Sequence, residues 1–546
     1  MKKLVIILFA LIAFGCTQHP QADQVVFGKI WTANEKQPWA EGFVIVGDSI
    51  VAVGTRTDIE KWVGANTVKT ETFDGNLIVP GFIDCHTHFI DGGLALSSVQ
   101  LRDAKTPHEF IQRIAAFAKT QPNGTWITSG DWDHENWGGE LPTRDWIDSV
   151  TKDNPVWINR LDGHMCLANT AALLAAGISD NVKDVPGGTI IRNKQGKPSG
   201  IFKDNAMGLI NLKVPDPSAE QLDQALESAM RYVAERGVTS AHNMSGYMDV
   251  FERAHREGKL KTRIYAGMSL RNWQALDEKI KQQGRGDKWL RIGALKEFVD
   301  GSLGSHTAAF FKPFTDTPTD SGFFVIEEQE LYKRIKSADS AGLQIMTHAI
   351  GDKAIHTLLN IYERVAKENG ERDRRFRNEH AQHVDPPDFV RFAQLGVIPS
   401  MQPYHAIDDG RWAEKVIGYE RCKTTYAFKS YLDVNAKLVF GSDWFVAPPT
   451  PLEGIYAAVT RRTLDDKNPE GWVPEQKISV EQALQAYTIN AAYASFEEKI
   501  KGSIEVGKLA DFVVLDEDIT TISPEKIRDV KVQRTVVGGK TVFERK

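Results

Sequence analysis

The sequence predicts an α/β fold: a (β/α)8 TIM-like barrel joined to a composite β-sandwich formed by the two ends of the chain. Three observations carry that prediction. From residue 217 onwards helix-like and strand-like segments alternate, and with the apolar stretch after residue 77 they give eight strands, the number that closes a parallel barrel. Short β-like runs broken by glycine and aspartate turns occupy residues 25–76 and 495–546. Side chains able to bind metal stand at the C-terminal ends of several inferred barrel strands, where such a fold builds its site.

At the N-terminal side, Lys2 and Lys3 precede an apolar run over residues 4–14 and then Gly15-Cys16. Eleven apolar residues fall short of the ~20 that cross a hydrocarbon core, so the run reads as a secretory signal. Ala13-Phe14-Gly15-Cys16 resembles a bacterial lipobox. That resemblance makes residues 1–16 a lipoprotein-type signal peptide and Cys16 the lipidated residue of an exported protein, ordinary cleavage into the periplasm being the alternative. Thr17 after the cysteine leans towards the outer membrane. Residues 17–24 form a polar tether, after which VVFGKIWTA and GFVIVGDSIVAVG open the sandwich.

Composition bounds the partners. Hydrophobic residues at 42% and charged residues at 25% describe a globular chain with ample core, and a net charge of −6 without a long basic run argues against nucleic acid. Membrane contact is expected only through the lipid, and the chain is compatible with a homo-oligomer. Cys85, Cys166 and Cys422 lack metal-type spacing and imply no disulfide framework.

The barrel is expected over residues 77–494, opening with LIVPGFIDCHTH. Residues two apart on a strand face the same side, so His86 and His88 point together from its C-terminal end. Residues 89–217 form an insertion over the barrel mouth, with a helix-like segment at 108–119 among aromatic and turn-rich stretches. Ser218 and Gln221 resemble a capping box for a helix over 219–236, and Ser479 with Gln482 one for a helix to 494. The remaining strands are expected at 237–243, 262–270, 290–301, 343–352, 375–384, 396–403 and 436–444. The tail, GSIEVGKLADFVVLDED and then VQRTVVGGKTVFERK, pairs with the N-terminal strands.

Lys296 lies in the fourth strand; His348, His380 and Asp443 end the fifth, sixth and eighth. Buried charges and imidazoles at strand ends are costly unless paired or metal-bound. Any one of them alone is more simply a satisfied core residue, but the coincidence over five strands argues for a shared site.

The motifs HTH after PGFIDC, KEFVDGSLGS, THAIGD, EHAQ, GSDW and GSIEVGKLADFVVLD resemble the amidohydrolase superfamily. Within it the resemblance is to the amidohydrolase 3 group, the YtcJ-like and N-substituted formamide deformylase-like proteins, and it runs from about Val25 to Phe543. It implies two divalent ions, zinc by expectation: one bound by His86 and His88, the other by His348 and His380. Lys296 would carry a carboxylate derived from carbon dioxide, and Asp443 would ligate a metal and hold the attacking water. Glu297 follows Lys296 and only one of them faces the interior; if Glu297 does, the bridge is a plain carboxylate. His383 reads as mainly structural or as a rim hydrogen bond. The implied reaction is hydrolysis of a non-peptide carbon–nitrogen bond in a small amide, formamide or cyclic amide through a metal-bridging hydroxide, with Asp443 as general base and then acid. Rival readings are a mononuclear deaminase of the same fold and a solute-binding lipoprotein without turnover.

Substrate contacts are expected from Trp132, Asp133, His134 and Trp137 as an aromatic wall with polar handles, and from His164 within Asp162-Gly163-His164. The tryptophans are equally well explained as packing the insertion onto the barrel. His306 departs from the arginine that relatives tend to have in GSLGS-x-TA, and a neutral imidazole cannot clamp a carboxylate as arginine does. His242 ends the second strand, where it either lines the mouth or satisfies a turn.

Overall fold

The computed structural model describes residues 21–64 and 67–546. The lipobox-like segment with Cys16, and the tether up to residue 20, lie outside the described residues. Residues 22–24 are strand and not tether: Ala22 and Gln24 turn inward while Asp23 faces solvent, the period-two pattern that begins β1 (Ala22–Trp31). β2 (Trp39–Val46), β3 (Ser49–Gly54) and β4 (Thr67–Pro80) follow. Leu77, Ile78 and Val79, assigned from sequence to the barrel, are the buried end of β4.

The barrel starts at β5 (Phe82–Thr87), five residues beyond the expected residue 77. The joint is Gly81, where a Cβ would overlap the Thr239 side chain, so a residue without one lets the chain pass from one sheet into the other. The insertion that follows is more regular than expected. Its strands β6 (Ile127–Trp132), β7 (Val156–Arg160), β8 (Met165–Ala168), β9 (Gly188–Arg192) and β10 (Pro198–Asp204) form a sheet in the order β6-β7-β8-β10-β9. Val99, Phe110, Ile114, Trp132, Ile147 and Ile158 give it a core of its own.

Helix Ala219–Ala234 returns the chain to the barrel with the expected Ser218–Gln221 capping box, and Leu226, Ala229, Met230 and Val233 form its buried stripe. The other seven barrel strands are β11 (Val238–Asn243), β12 (Arg263–Ser269), β13 (Leu290–Phe298), β14 (Gln344–Ala349), β15 (Arg377–His380), β16 (Ile398–Met401) and β17 (Val439–Phe440). All eight expected strands are present, each parallel to its neighbour, and β5, β11 and β14 are buried along their whole length, as a sheet covered on both faces requires. The ring closes beyond the short β17. Asp443 N–H donates to His86 O at 2.7 Å, and His88 N–H donates to Trp444 O at 2.6 Å.

The tail supplies β18 (Phe512–Leu515), β19 (Val532–Val537) and β20 (Lys540–Glu544). With the N-terminal strands they make one seven-stranded sheet, β20-β19-β18-β4-β1-β2-β3, in which β18 lies antiparallel to β4 with Phe512 opposite Pro80 and Leu515 opposite Leu77. Ile30, Phe43, Ile78 and Phe512 pack on one side and Val25, Phe27, Val44 and Ile59 on the other. Arg263 at the foot of β12 ties the two bodies together: its guanidinium donates to both carboxylate oxygens of buried Asp511 at 2.7 and 2.8 Å.

Candidate metal centre

The strand ends bring His86, His88, Lys296, His348, His380 and Asp443 to one mouth. His88, Lys296, His348, His380 and Asp443 line a cavity of about 160 Å³, with His86 buried directly behind them. Lys296, and not Glu297, faces this interior: its Nζ lies 3.2 Å from His86 Nε2, while Glu297 turns outward and accepts from Arg334 at 3.1 Å. Burial lowers the Lys296 amine to about 8, against the pull of Glu379 and Asp443.

Each imidazole has one nitrogen held by an outer partner, and the second nitrogen of His86 meets Lys296 Nζ within the site. His86 Nδ1–H donates to Glu379 Oε2 at 2.6 Å, His348 Nε2–H to Gly301 O at 2.9 Å and His380 Nδ1–H to Gln402 Oε1 at 2.8 Å. His88 Nδ1 meets the Ser245 hydroxyl at 2.5 Å. Such outer partners fix tautomer and ring orientation at metal sites. Burial pushes His86, His348 and His380 well below the usual imidazole range, with neighbouring cationic groups adding to the effect, so they stay neutral.

Asp443 completes the arrangement. Its Oδ1 stands 3.4 Å from both His86 Nε2 and His88 Nε2, and Oδ2 stands 4.0 Å from His380 Nδ1. Burial opposes its ionisation, but the surrounding imidazoles of His86, His88 and His405, hydrogen bonding from His88 included, together hold the carboxyl below its ordinary range. Oδ1 is buried without a protein donor, a costly state that a cation would relieve. A neutral-imidazole and carboxylate set with such an atom fits a divalent metal. Two donor groups emerge, His86–His88–Asp443 and His380–His405–Asp443, each with its atoms within 4.8 Å of one another. His380 and Asp443 have φ of 75° and 61°, the left-handed region that side chains other than glycine rarely occupy, and such strain gathers at functional sites.

The expected substrate residues divide. His164 reaches the cavity, its ring 5.0 Å from that of His348 and its Nδ1 2.6 Å from Asp204 Oδ1. Trp132, His134, Trp137 and His306 do not line it. Trp132 points into the insertion core and donates to Ile158 O at 3.0 Å; Trp137 packs on Phe110 and Trp146. His134 sits behind Arg160, and burial pushes it down to about 3. His306 faces Asp316 at 3.0 Å. His242 is buried beneath the site, 3.0 Å from Arg377, and His383 is buried with its Nδ1 2.8 Å from Thr425 Oγ1.

The sequence reading missed Arg160, His405, Asp408, Asp409 and Trp412, all at the cavity. His405 follows β16 by four residues and Arg160 ends β7, so proximity to strand ends was the available signal.

Comparison with known proteins agrees with this geometry. The amidohydrolase family profile matches residues 73–543. Protein LONG AFTER FAR-RED 3 of Arabidopsis thaliana is 39% identical over 95% of this chain and 91% of its own length. N-substituted formamide deformylase of Arthrobacter pascens is 28% identical over 95% of this chain and 98% of its own. The crystal structure of an uncharacterized metal-dependent hydrolase from Pyrococcus horikoshii superposes with a TM-score of 0.74 at 28% identity, over 92% of this chain and 99% of that one. A barrel with histidines and an aspartate gathered at its mouth, matched over most of its length, makes this chain a member of the amidohydrolase family and a metal-dependent hydrolase.

Proposed function

We propose that this protein hydrolyses a carbon–nitrogen bond in a non-peptide amide, formamide or cyclic amide. His86 and His88 would hold one divalent ion, His348 and His380 a second, with zinc the expected metal and Lys296 carrying a carboxylate derived from carbon dioxide. The observation that carries this reading is Asp443, an ionised and buried carboxylate between the His86–His88 pair and His380. When bound, the ions would acidify water and polarise a carbonyl.

The remaining work falls to the chain. Asp443 is poised to accept a proton from water and return it to the leaving nitrogen, as base and then acid. Glu379, Gly301 and Gln402 keep three imidazoles in the tautomers the site needs. Phe298, Trp412 and Phe445 give the cavity apolar walls that limit water around the scissile bond. The A. pascens relative, named for an N-substituted formamide, supports an amide-type substrate. Hydrolysis of a panel of N-formyl and N-acyl amines, with and without chelator, tests the reading. Chelator-sensitive release of amine is expected, and an inert result across the panel in metal-loaded protein would overturn it. The lipobox-like residues support lipid anchoring through Cys16, for which labelled fatty acid should enter the wild type and not Cys16→Ser.

A further inference from the structure

His405 is carried by the helix Pro403–Asp409, whose first turn follows Gln402 just beyond barrel strand β16. Proline at the first helical position sets the backbone, and His405 N–H donates to Gln402 O at 3.1 Å, so the ring is presented from a fixed turn. The same Gln402 accepts from His380, which places the two imidazoles on one side of the mouth. His405 Nε2 is buried and has no protein partner; neither has Asp443 Oδ1. A buried polar atom left in that state costs on the order of 1–3 kcal/mol, so two of them facing one cavity call for a shared occupant. Their chemistry names it: an imidazole nitrogen and a carboxylate oxygen, grouped with His380 within 4.8 Å, make a donor set for a divalent cation. With bonds of ~2.1 Å, ligand atoms in a tetrahedral site stand roughly 3.4 Å apart, a spacing that modest side-chain rotation reaches from here.

We propose that His405 is a ligand of the metal ion on the His380 side, together with Asp443. This rests on the metal-dependent hydrolase reading and extends it. The second ion takes a nitrogen donor from a helix beyond the seventh strand, where the motifs of the strand ends give none. The same helix bears Asp408, which pairs with Arg411, and Arg411 reaches Asp133 of the insertion at 3.2 Å. Metal capture by His405 would therefore be coupled to the wall that covers the cavity.

The test is a cobalt(II) titration of the full chain, stripped with chelator, followed by ligand-field absorption and by competition with a chelator of known affinity. The wild type should take up two ions. His405→Gln, which keeps the volume but offers a poor ligand, should leave one site unchanged, weaken the other by ~10-fold or more and alter the absorption. His405→Asp, with a donor restored, should recover much of that affinity. Metal-free melting curves equal to the wild type's establish that both variants fold. Unchanged stoichiometry, affinity and spectrum in His405→Gln would overturn the proposal, and a rise in KM alone would make His405 a substrate contact. A wild type that binds no cobalt would overturn the hydrolase reading along with it, which separates the two failures.

Discussion

At the scale of single residues the site separates groups that would act from groups that orient them. Asp443 is held below the ordinary carboxylate range against its burial by the ring of imidazoles around it, His86, His88 and His405. Replacing it with asparagine keeps an oxygen donor and removes the proposed proton carrier. Asp443→Asn should retain bound metal and lose at least ~100-fold in kcat; near wild-type turnover with metal present would remove Asp443 from that role. The carboxylation proposed for Lys296 carries a pH signature. Reaction with carbon dioxide needs the neutral amine, and an amine titrating at about 8 is roughly one-tenth neutral at pH 7, against well under one-thousandth for an ordinary lysine. The neutral fraction falls as pH drops. Reactivation of metal-stripped protein by metal and bicarbonate should therefore be faster at pH 8 than at pH 6, and Lys296→Ala should lose the bicarbonate dependence. That His86, His88, Lys296, His348, His380 and Asp443 meet at one mouth was legible because they stand at or just beyond the ends of parallel strands, which converge there. His405 and Arg160 were not, because a loop helix and an inserted sheet bring them in from segments without that periodicity.

At the scale of elements, the barrel strands were readable because short buried runs bounded by turns recur between helix-like segments, even where the run is polar, as in Arg377–His380. The insertion was not, because β6 to β10 follow one another without the regular helix alternation of the barrel, and their aromatic residues turn towards separate cores. Trp132 and Trp137 carry the same residue type that a binding wall would use, but β6–β7 pairing aims Trp132 at Phe110 and the short helical turn His134–Trp137 brings Trp137 to the same ring. The end of β4 was misplaced for a related reason: Leu77–Pro80 and β5 form one apolar run, and only Gly81 marks the change of partner. Between elements, the Arg263–Asp511 pair is the sharpest mechanical claim. Both groups are buried, so removing one leaves an unpaired charge in the interior. Asp511→Ala should cost about 3–5 kcal/mol in denaturant unfolding, whereas replacing both members with apolar residues should cost much less. Equal losses in the single and double variants would count against that account.

At the scale of the whole molecule, the barrel mouth faces the inserted sheet while the seven-stranded sheet grips the barrel from the β4 and β12 side. The pairing of β18 with β4 joins segments from opposite ends of the sequence, and it sets an order in time. A ribosome that has already released all eight barrel strands has not yet made the neighbour that covers one edge of Leu77–Val79. Until that late strand emerges, a greasy ribbon beside a finished barrel stays open to passing chaperones. Nascent chains arrested before residue 512 should be captured by a chaperone that reads extended apolar peptides, and chains arrested beyond β20 should escape it; equal capture of both would contradict this timetable.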